Sequence, residues 1–303
     1  MTELQYFVVD VFTDTALQGN PLAVVMNPVA HGVPVLTTER MQAIAREFNL
    51  SETTFVERRP PEVERREGVR VRIFTTEEEL PFAGHPTLGT ASVLRLQASD
   101  TFQSDTVTLA LNVGPIPVRF EGEGLFAEMT QRDPEFGPVL DPNQVARLLG
   151  LHPEDLEPTL TPRIVSTGTA FAIVVLRTGA ALSRLNVLQQ EATEWLREHG
   201  ARWFYVLAPT GEQAVEPGPH FRARMQFNGG EDPATGSAAG CAISYLVQNE
   251  TVASGSRLHV RQGVEIGRSS DLFLSARLTG ARVEQVRVAG STVSVANGRL
   301  FLP

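Results

Sequence analysis

Gly19-Asn20-Pro21-Leu22-Ala23-Val24-Val25 lines up with Gly168-Thr169-Ala170-Phe171-Ala172-Ile173-Val174, an offset of 149 residues (168 − 19). The same offset sets Ala83-Gly84-His85-Pro86-Thr87-Leu88 against Asp232-Pro233-Ala234-Thr235-Gly236-Ser237. Between these anchors, Arg70-Val71-Arg72-Ile73 resembles Arg222-Ala223-Arg224-Met225, three residues out of step, so one loop differs in length. A period this long is no solenoid repeat. It predicts two similar domains facing each other, with a ligand cleft at their interface. The N-terminal half is expected over 1–115 and the C-terminal half over 118–287, with Val113 to Pro117 as the crossover. The tail 288–303 alternates around Asn297-Gly298, which predicts a hairpin able to pair with either half.

The elements around the anchors follow the same order in both copies. Leu4 to Val11 and Leu22 to Met26 read as strands, rich in branched and aromatic residues. Met41, Ile44, Ala45 and Phe48 fall at i, i+3, i+4 and i+7, an amphipathic helix. Strands return at Thr53 to Glu57 and Val69 to Thr75, with Arg58 to Gly68 a solvated hairpin loop. Pro86 suits a first helical turn, opening a helix to about Leu96. The second half has an amphipathic helix near Leu188 to Arg197 and a small-residue helix near Thr235 to Val247. The helices after Pro86 and Thr235 carry almost no charge, and a helix apolar all round is a buried one. The expectation is an α+β protein in which a curled sheet, barrel-like and mostly antiparallel, wraps a central helix in each half.

Composition removes several chemistries. The chain of 303 residues contains no lysine, so all 26 basic residues are arginine. A pyridoxal-phosphate Schiff base, a catalytic amine and a P-loop lysine are therefore excluded. One cysteine, Cys241, leaves no internal disulfide and no multi-cysteine zinc site. The histidines are scattered, so no metal site is expected. Net charge is −9 and no Lys/Arg cluster exceeds a pair, which argues against a nucleic-acid partner. Apolar runs such as Phe171 to Leu176 are too short to span a bilayer. No basic region precedes an apolar stretch at the N-terminus, so a cytoplasmic location is expected.

Two segments can carry chemistry. Asn228-Gly229-Gly230-Glu231-Asp232-Pro233-Ala234-Thr235-Gly236-Ser237-Ala238 leads glycine-rich backbone into a helix start, where unpaired N–H groups attract an anion. A capped helix, with Asp232 or Thr235 as N-cap, is the plainer reading of it. Its partner segment around His85 favours an anion site fed from two helix starts. His85 itself reads equally as a structural hydrogen-bonding residue or a site residue. Glu52, between Ser51 and Thr53, sits at a strand entry; alone it reads as a structural glutamate, with Ala201 its repeat equivalent. Glu77-Glu78-Glu79 reads as a solvated face. Cys241, Trp195, Trp203 and Phe204 read as core.

Taken together, Gly19 to Val25, Ser51-Glu52-Thr53-Thr54-Phe55, Leu80 to Thr87 and Glu231 to Ala238 resemble the phenazine-biosynthesis PhzF family over nearly the whole chain. The resemblance implies the diaminopimelate epimerase-like fold, with two pseudo-symmetric halves. In the epimerases of that fold a cysteine stands at each central-helix start; here Ala83 and Asp232 are matched to those places. The resemblance implies a cofactor-independent isomerase acting on a small carboxylate-bearing substrate of dihydroxyanthranilate type. Glu52 would be its general acid/base, with Asp232 and His85 beside it in catalysis. Asn20, Gly84, Gly236 and Ser237 would bind substrate, and a homodimer is implied. The alternatives are an epimerase or racemase using Glu52 and Asp232 as two bases, or a non-catalytic small-anion binding protein.

Overall fold

The computed structural model describes residues 2–30, 33–34, 36–97, 105–209, 211, 220–227 and 229–302. It divides into two compact units, Met1–Met129 with Gly290–Pro303, and Thr130–Ala289. Asn228 of the glycine-rich segment lies outside the described residues.

In the first unit the strand Thr2–Val11 pairs antiparallel with Asn20–Asn27, which runs parallel to Thr53–Glu57. That strand pairs antiparallel with Val69–Phe74, which runs parallel to Thr106–Leu111 and from there antiparallel to Gly114–Phe120. The second unit repeats this succession. Arg163–Ser166, Ala170–Val175, Trp203–Pro209, His220–Arg224, Leu258–Gln262 and Ser270–Thr279 pair as antiparallel, parallel, antiparallel, parallel and antiparallel. The internal repeat is thus one of strand direction as well as of sequence. Each parallel pair needs a crossover, which the helices supply.

The helix Thr38–Phe48 makes the first crossover. Thr37 caps its N-terminus by accepting from Arg40 N, and Asn49, in the left-handed region at φ 52, ends it. Met41, Ile44 and Ala45 face a cluster with Leu4, Val25, Phe55 and Phe74, and Phe48 packs at its edge. In the second unit Gln189–Glu198 does the same work, burying Ala192 and Leu196 against a cluster that includes Phe204 and Val206. Trp195 and Trp203, expected in the core, are only half-buried; Trp203 stacks on Phe171.

The apolar central helices are Gly84–Gln97 and Gly236–Gln248. Every residue from Gly84 to Leu94 is buried, with Thr2–Val11, Asn20–Asn27, Thr53–Glu57, Thr106–Leu111, Gly114–Phe120 and Thr292–Leu302 packed against the helix. Ala238 to Val247 are likewise buried, against Arg163–Ser166, Ala170–Val175, Trp203–Pro209 and Ser270–Thr279. Burial of every residue in their middle turns explains why these helices carry no charged side chain there.

Several expectations are corrected. Asn297-Gly298 is not a turn. Thr292–Leu302 runs straight through it as one strand, antiparallel to Thr2–Val11 with Gly298 opposite Tyr6. A Cβ on residue 298 would lie 2.7 Å from the Tyr6 hydroxyl oxygen, so glycine here makes room for a ring rather than a bend. Val113 to Pro117 turns into the strand Gly114–Phe120 within the first unit, and the chain passes to the second unit between Met129 and Thr130. Arg58 to Gly68 is no open loop, because Pro61–Glu67 is a helix. Its buried Glu64 accepts from Arg58 Nε at 2.9 Å and from the Arg59 N–H at 2.7 Å. Of the three glutamates at 77–79, Glu79 is half-buried and ion-paired to Arg72, whose guanidinium holds its carboxyl below the usual range.

Candidate active site

Gly19 sets the entry to the first unit's site. Its φ is +68, and a Cβ there would lie 2.4 Å from the Val11 carbonyl, so only glycine fits the turn into Asn20. Asn20 is fully buried at the start of its strand. Glu52 is placed from the other direction. The left-handed Asn49 ends the amphipathic helix, and Glu52 is the residue immediately before the strand Thr53–Glu57. Thr54, buried behind Glu52, shares a 2.8 Å hydrogen bond with Thr90 of the central helix, keying this strand to the helix that carries His85.

His85 Nε2 stands 3.5 Å from Glu52 Oε2, with side-chain exposures of 6% and 16%. Burial pushes the imidazole down from 6.5 to about 3, only partly opposed by a hydrogen bond to the Pro21 backbone. Proline has no N–H, so the ring donates to its carbonyl. Nε2 has no hydrogen-bond partner, so the donor is Nδ1. The neutral ring therefore turns the lone pair of Nε2 toward Glu52. The resemblance implied that these two residues act together; the fold sets their side chains 3.5 Å apart.

In the second unit, Asp232 is partly exposed and precedes the central helix by four positions. The capping reading of this segment holds for the position of Thr235 and not for its side chain. Thr235 occupies the N-cap position, but its side chain caps no helix N–H. Its hydroxyl is 2.7 Å from Asp232 Oδ2 instead. Gln262, fully buried, donates from Nε2 to Thr235 Oγ1 at 2.9 Å and to the Asp232 carbonyl at 2.8 Å. Gln262 Oε1 accepts from the Thr235 N–H and from the Tyr205 hydroxyl, each at 3.1 Å. Burial raises the Tyr205 phenol well above its ordinary range, so it remains a donor. Nothing in the sequence marked Gln262 or Tyr205, since a neutral amide inside a strand carries no motif.

A second amide supports the helix start. Gln131 Nε2 donates to the Gly236 carbonyl at 2.9 Å, and Thr167 Oγ1 donates to Gln131 Oε1 at 2.7 Å. Gly236 is buried and Ser237 half-buried in this first turn. Cys241, one turn on, is a buried thiol pushed up to about 11 by desolvation, as expected of a core cysteine. Among the described residues no three His, Cys, Asp or Glu side chains gather as a metal ion would require.

The repeat register needs correction at these helix starts. Gly84 and Gly236 both open their helices, 152 residues apart (236 − 84), the offset that Arg70 and Arg222 already showed. Ala83 is therefore matched by Thr235, and His85 by Ser237; Asp232 has no counterpart at Ala83. The parallel ladders pair Ala23 with Thr53 and Ala172 with Phe204, so Glu52 corresponds to Trp203 rather than Ala201. The asymmetry between the units survives, because neither residue is a carboxylate.

No described helix is long and apolar enough to cross a membrane. The family model for phenazine biosynthesis-like proteins matches residues 9–298. A trans-2,3-dihydro-3-hydroxyanthranilate isomerase of Pseudomonas aeruginosa is 35% identical over 308 residues, covering 98% of this chain and 99% of that protein. The crystal structure of a PhzF-family phenazine biosynthesis protein from Bacillus anthracis matches with a TM-score of 0.85 at 25% identity, over 100% of both chains. A hydroxyproline epimerase of Agrobacterium vitis shares the fold, with a TM-score of 0.62 at 10% identity over 98% of this chain and 92% of that one. The repeated strand order, the two buried helices and a match over residues 9–298 agree: the chain is an isomerase belonging to the phenazine biosynthesis-like family, PhzC-PhzF.

Proposed function

We propose that this enzyme moves a proton within a small carboxylate-bearing substrate of the trans-2,3-dihydro-3-hydroxyanthranilate type, with Glu52 as the general acid/base. The observation that carries the reading is the half-buried Glu52 carboxylate set 3.5 Å from the buried His85 ring. A base that takes a proton from carbon must hold that proton long enough to return it elsewhere on the skeleton. The neutral His85 ring supports this, because its Nε2 lone pair offers protonated Glu52 an acceptor and offers the carboxylate nothing.

The C–H bond breaks as Glu52 takes the proton, and its electron pair enters the conjugated system. A new C–H bond forms when Glu52 returns the proton at another carbon, so no co-reactant is consumed. Substrate negative charge would be held by first-turn N–H groups at Gly84 and Gly236 and by Asn20 and Ser237. Asp232 would orient the substrate. An epimerase reading needs Asp232 as a second proton-carrying base. The hydroxyl held 2.7 Å from its Oδ2 favours a standing carboxylate and supports the isomerase reading.

Incubation with trans-2,3-dihydro-3-hydroxyanthranilate in deuterium oxide tests the proposal. Wild type should isomerise it with solvent deuterium incorporated at carbon. Glu52→Gln should bind without turnover or exchange. Full activity in that variant refutes the role of Glu52.

A further inference from the structure

Gln262 meets four partners and has four hydrogen-bonding positions, two N–H groups and two lone pairs on Oε1. Two of the partners are backbone groups whose direction is fixed: the Thr235 N–H can only donate and the Asp232 carbonyl can only accept. Rotating the amide by half a turn would set donor against donor and acceptor against acceptor, so the chain permits one orientation. In it, Nε2 donates to Thr235 Oγ1, filling a lone pair of the hydroxyl. The Thr235 proton is then directed to Asp232 Oδ2, 2.7 Å away. Tyr205, buried and protonated, holds the far side of the amide by donating to Oε1. The chain runs from the closed core outward and ends on the partly exposed carboxylate.

We infer that Gln262 and Thr235 are positioning residues for Asp232, a one-way hydrogen-bond chain that fixes the rotamer of its carboxylate and keeps it an acceptor toward the substrate. This rests on the placement of Asp232 in the reaction proposed above. Neither residue touches the reacting atoms; both act through the carboxylate they hold.

The experiment compares Thr235→Val, which removes the hydroxyl and keeps the branched shape, with Thr235→Ser, which keeps the hydroxyl, and with Gln262→Glu and Asp232→Asn. Turnover is measured on trans-2,3-dihydro-3-hydroxyanthranilate across pH. The Asp232 carboxyl carbon is followed by NMR in protein labelled with carbon-13 aspartate, its signal identified by its loss in Asp232→Asn. Thr235→Val should lower kcat by about ten- to a hundredfold with KM little changed, the effect of losing a hydrogen bond to a charged group. Its Asp232 titration midpoint and the acid limb of its rate profile should both move to higher pH. Thr235→Ser should restore both, and Gln262→Glu, which cannot donate to Thr235, should behave like Thr235→Val. A Tm loss in Thr235→Val with an unmoved Asp232 midpoint would overturn the chain as a positioning device. Undiminished turnover in Asp232→Asn would instead overturn the reading on which the inference rests, and the NMR midpoint tells the two failures apart.

Discussion

At the start of the Gly84–Gln97 helix, a buried neutral imidazole turns a lone pair toward a carboxylate 3.5 Å away. Ahead of the Gly236–Gln248 helix, a carboxylate accepts from a hydroxyl that is itself held by an amide and, behind it, a phenol. The same succession of strands and the same buried helix carry both arrangements. The difference lies in what the polar neighbours can do with a proton. His85 gives Glu52 somewhere to point a proton once it has gained one. Thr235 and Gln262 give Asp232 only donors. One scaffold, used twice, thus holds one carboxyl beside a proton acceptor and another beside a proton donor.

Replacing Glu52 breaks this contrast most severely. Glu52→Gln should lower kcat by about a thousand- to ten-thousandfold, the upper range of general acid–base catalysis, with the fold intact by circular dichroism. Asp232→Asn should cost less, about a hundredfold in kcat/KM, since in the proposed mechanism it removes orientation and charge rather than the proton carrier. Comparable losses in the two variants would erase the distinction between mobile and fixed carboxylates.

The supporting cores can be compared in the same way. A Cβ on residue 240 would lie 1.9 Å from Gln131 Oε1, an amide held on both sides by Thr167 and Gly236. A Cβ on residue 89 would meet the methyl ends of Leu22 and Val11 at 2.7 Å. Methyl groups can rotate away and the bonded amide cannot. Gly240→Ala should therefore destabilise by about 3 kcal/mol and Gly89→Ala by about 1 kcal/mol, read from denaturant midpoints.

Acid sharpens the comparison further. The His85 folded-state value of about 3 lies below the unfolded 6.5, so the unfolded chain takes up the proton first as pH falls. The contribution of the neutral buried ring is complete above pH 6.5 and is lost on descending toward pH 3, at about 1.4 kcal/mol per pH unit. His85→Gln should flatten this part of the Tm-against-pH curve; an unchanged slope would mean that the ring is not held neutral by burial.

Much of the architecture was written in local pattern. Period-2 and period-3.6 spacing marked the strands and amphipathic helices, and the charge-free runs after Pro86 and Thr235 marked the helices that must be covered. Asn297-Gly298 misled because a strong turn signal yields to a long neighbouring strand and to the Tyr6 ring packed against the glycine. Pro60-Pro61 reads as loop, yet Pro61 opens a helix whose Glu64 is stabilised by Arg58, a contact that charge composition alone does not reveal. The repeat register slipped at Asp232 because Gly-rich and small residues align almost equally well at two offsets; only the helix starts at Gly84 and Gly236 decide between them.

By itself the sequence determined the doubled fold, the absence of lysine and of paired thiols, and the helix starts at His85 and Asp232 as the places to watch; Glu52 joined them only through the resemblance to the PhzF family. Those properties depend on residue type and near-neighbour spacing, which the chain carries whether folded or not. Tertiary structure alone decided that Glu52 and His85 are neighbours, that Pro21 selects the tautomer of His85, and that Gln262 directs the Thr235 hydroxyl onto Asp232. Hydrogen-bond direction is set by which donors and acceptors are brought within 3 Å of one another as water is excluded, and that arrangement exists only once the strands have closed on their helices.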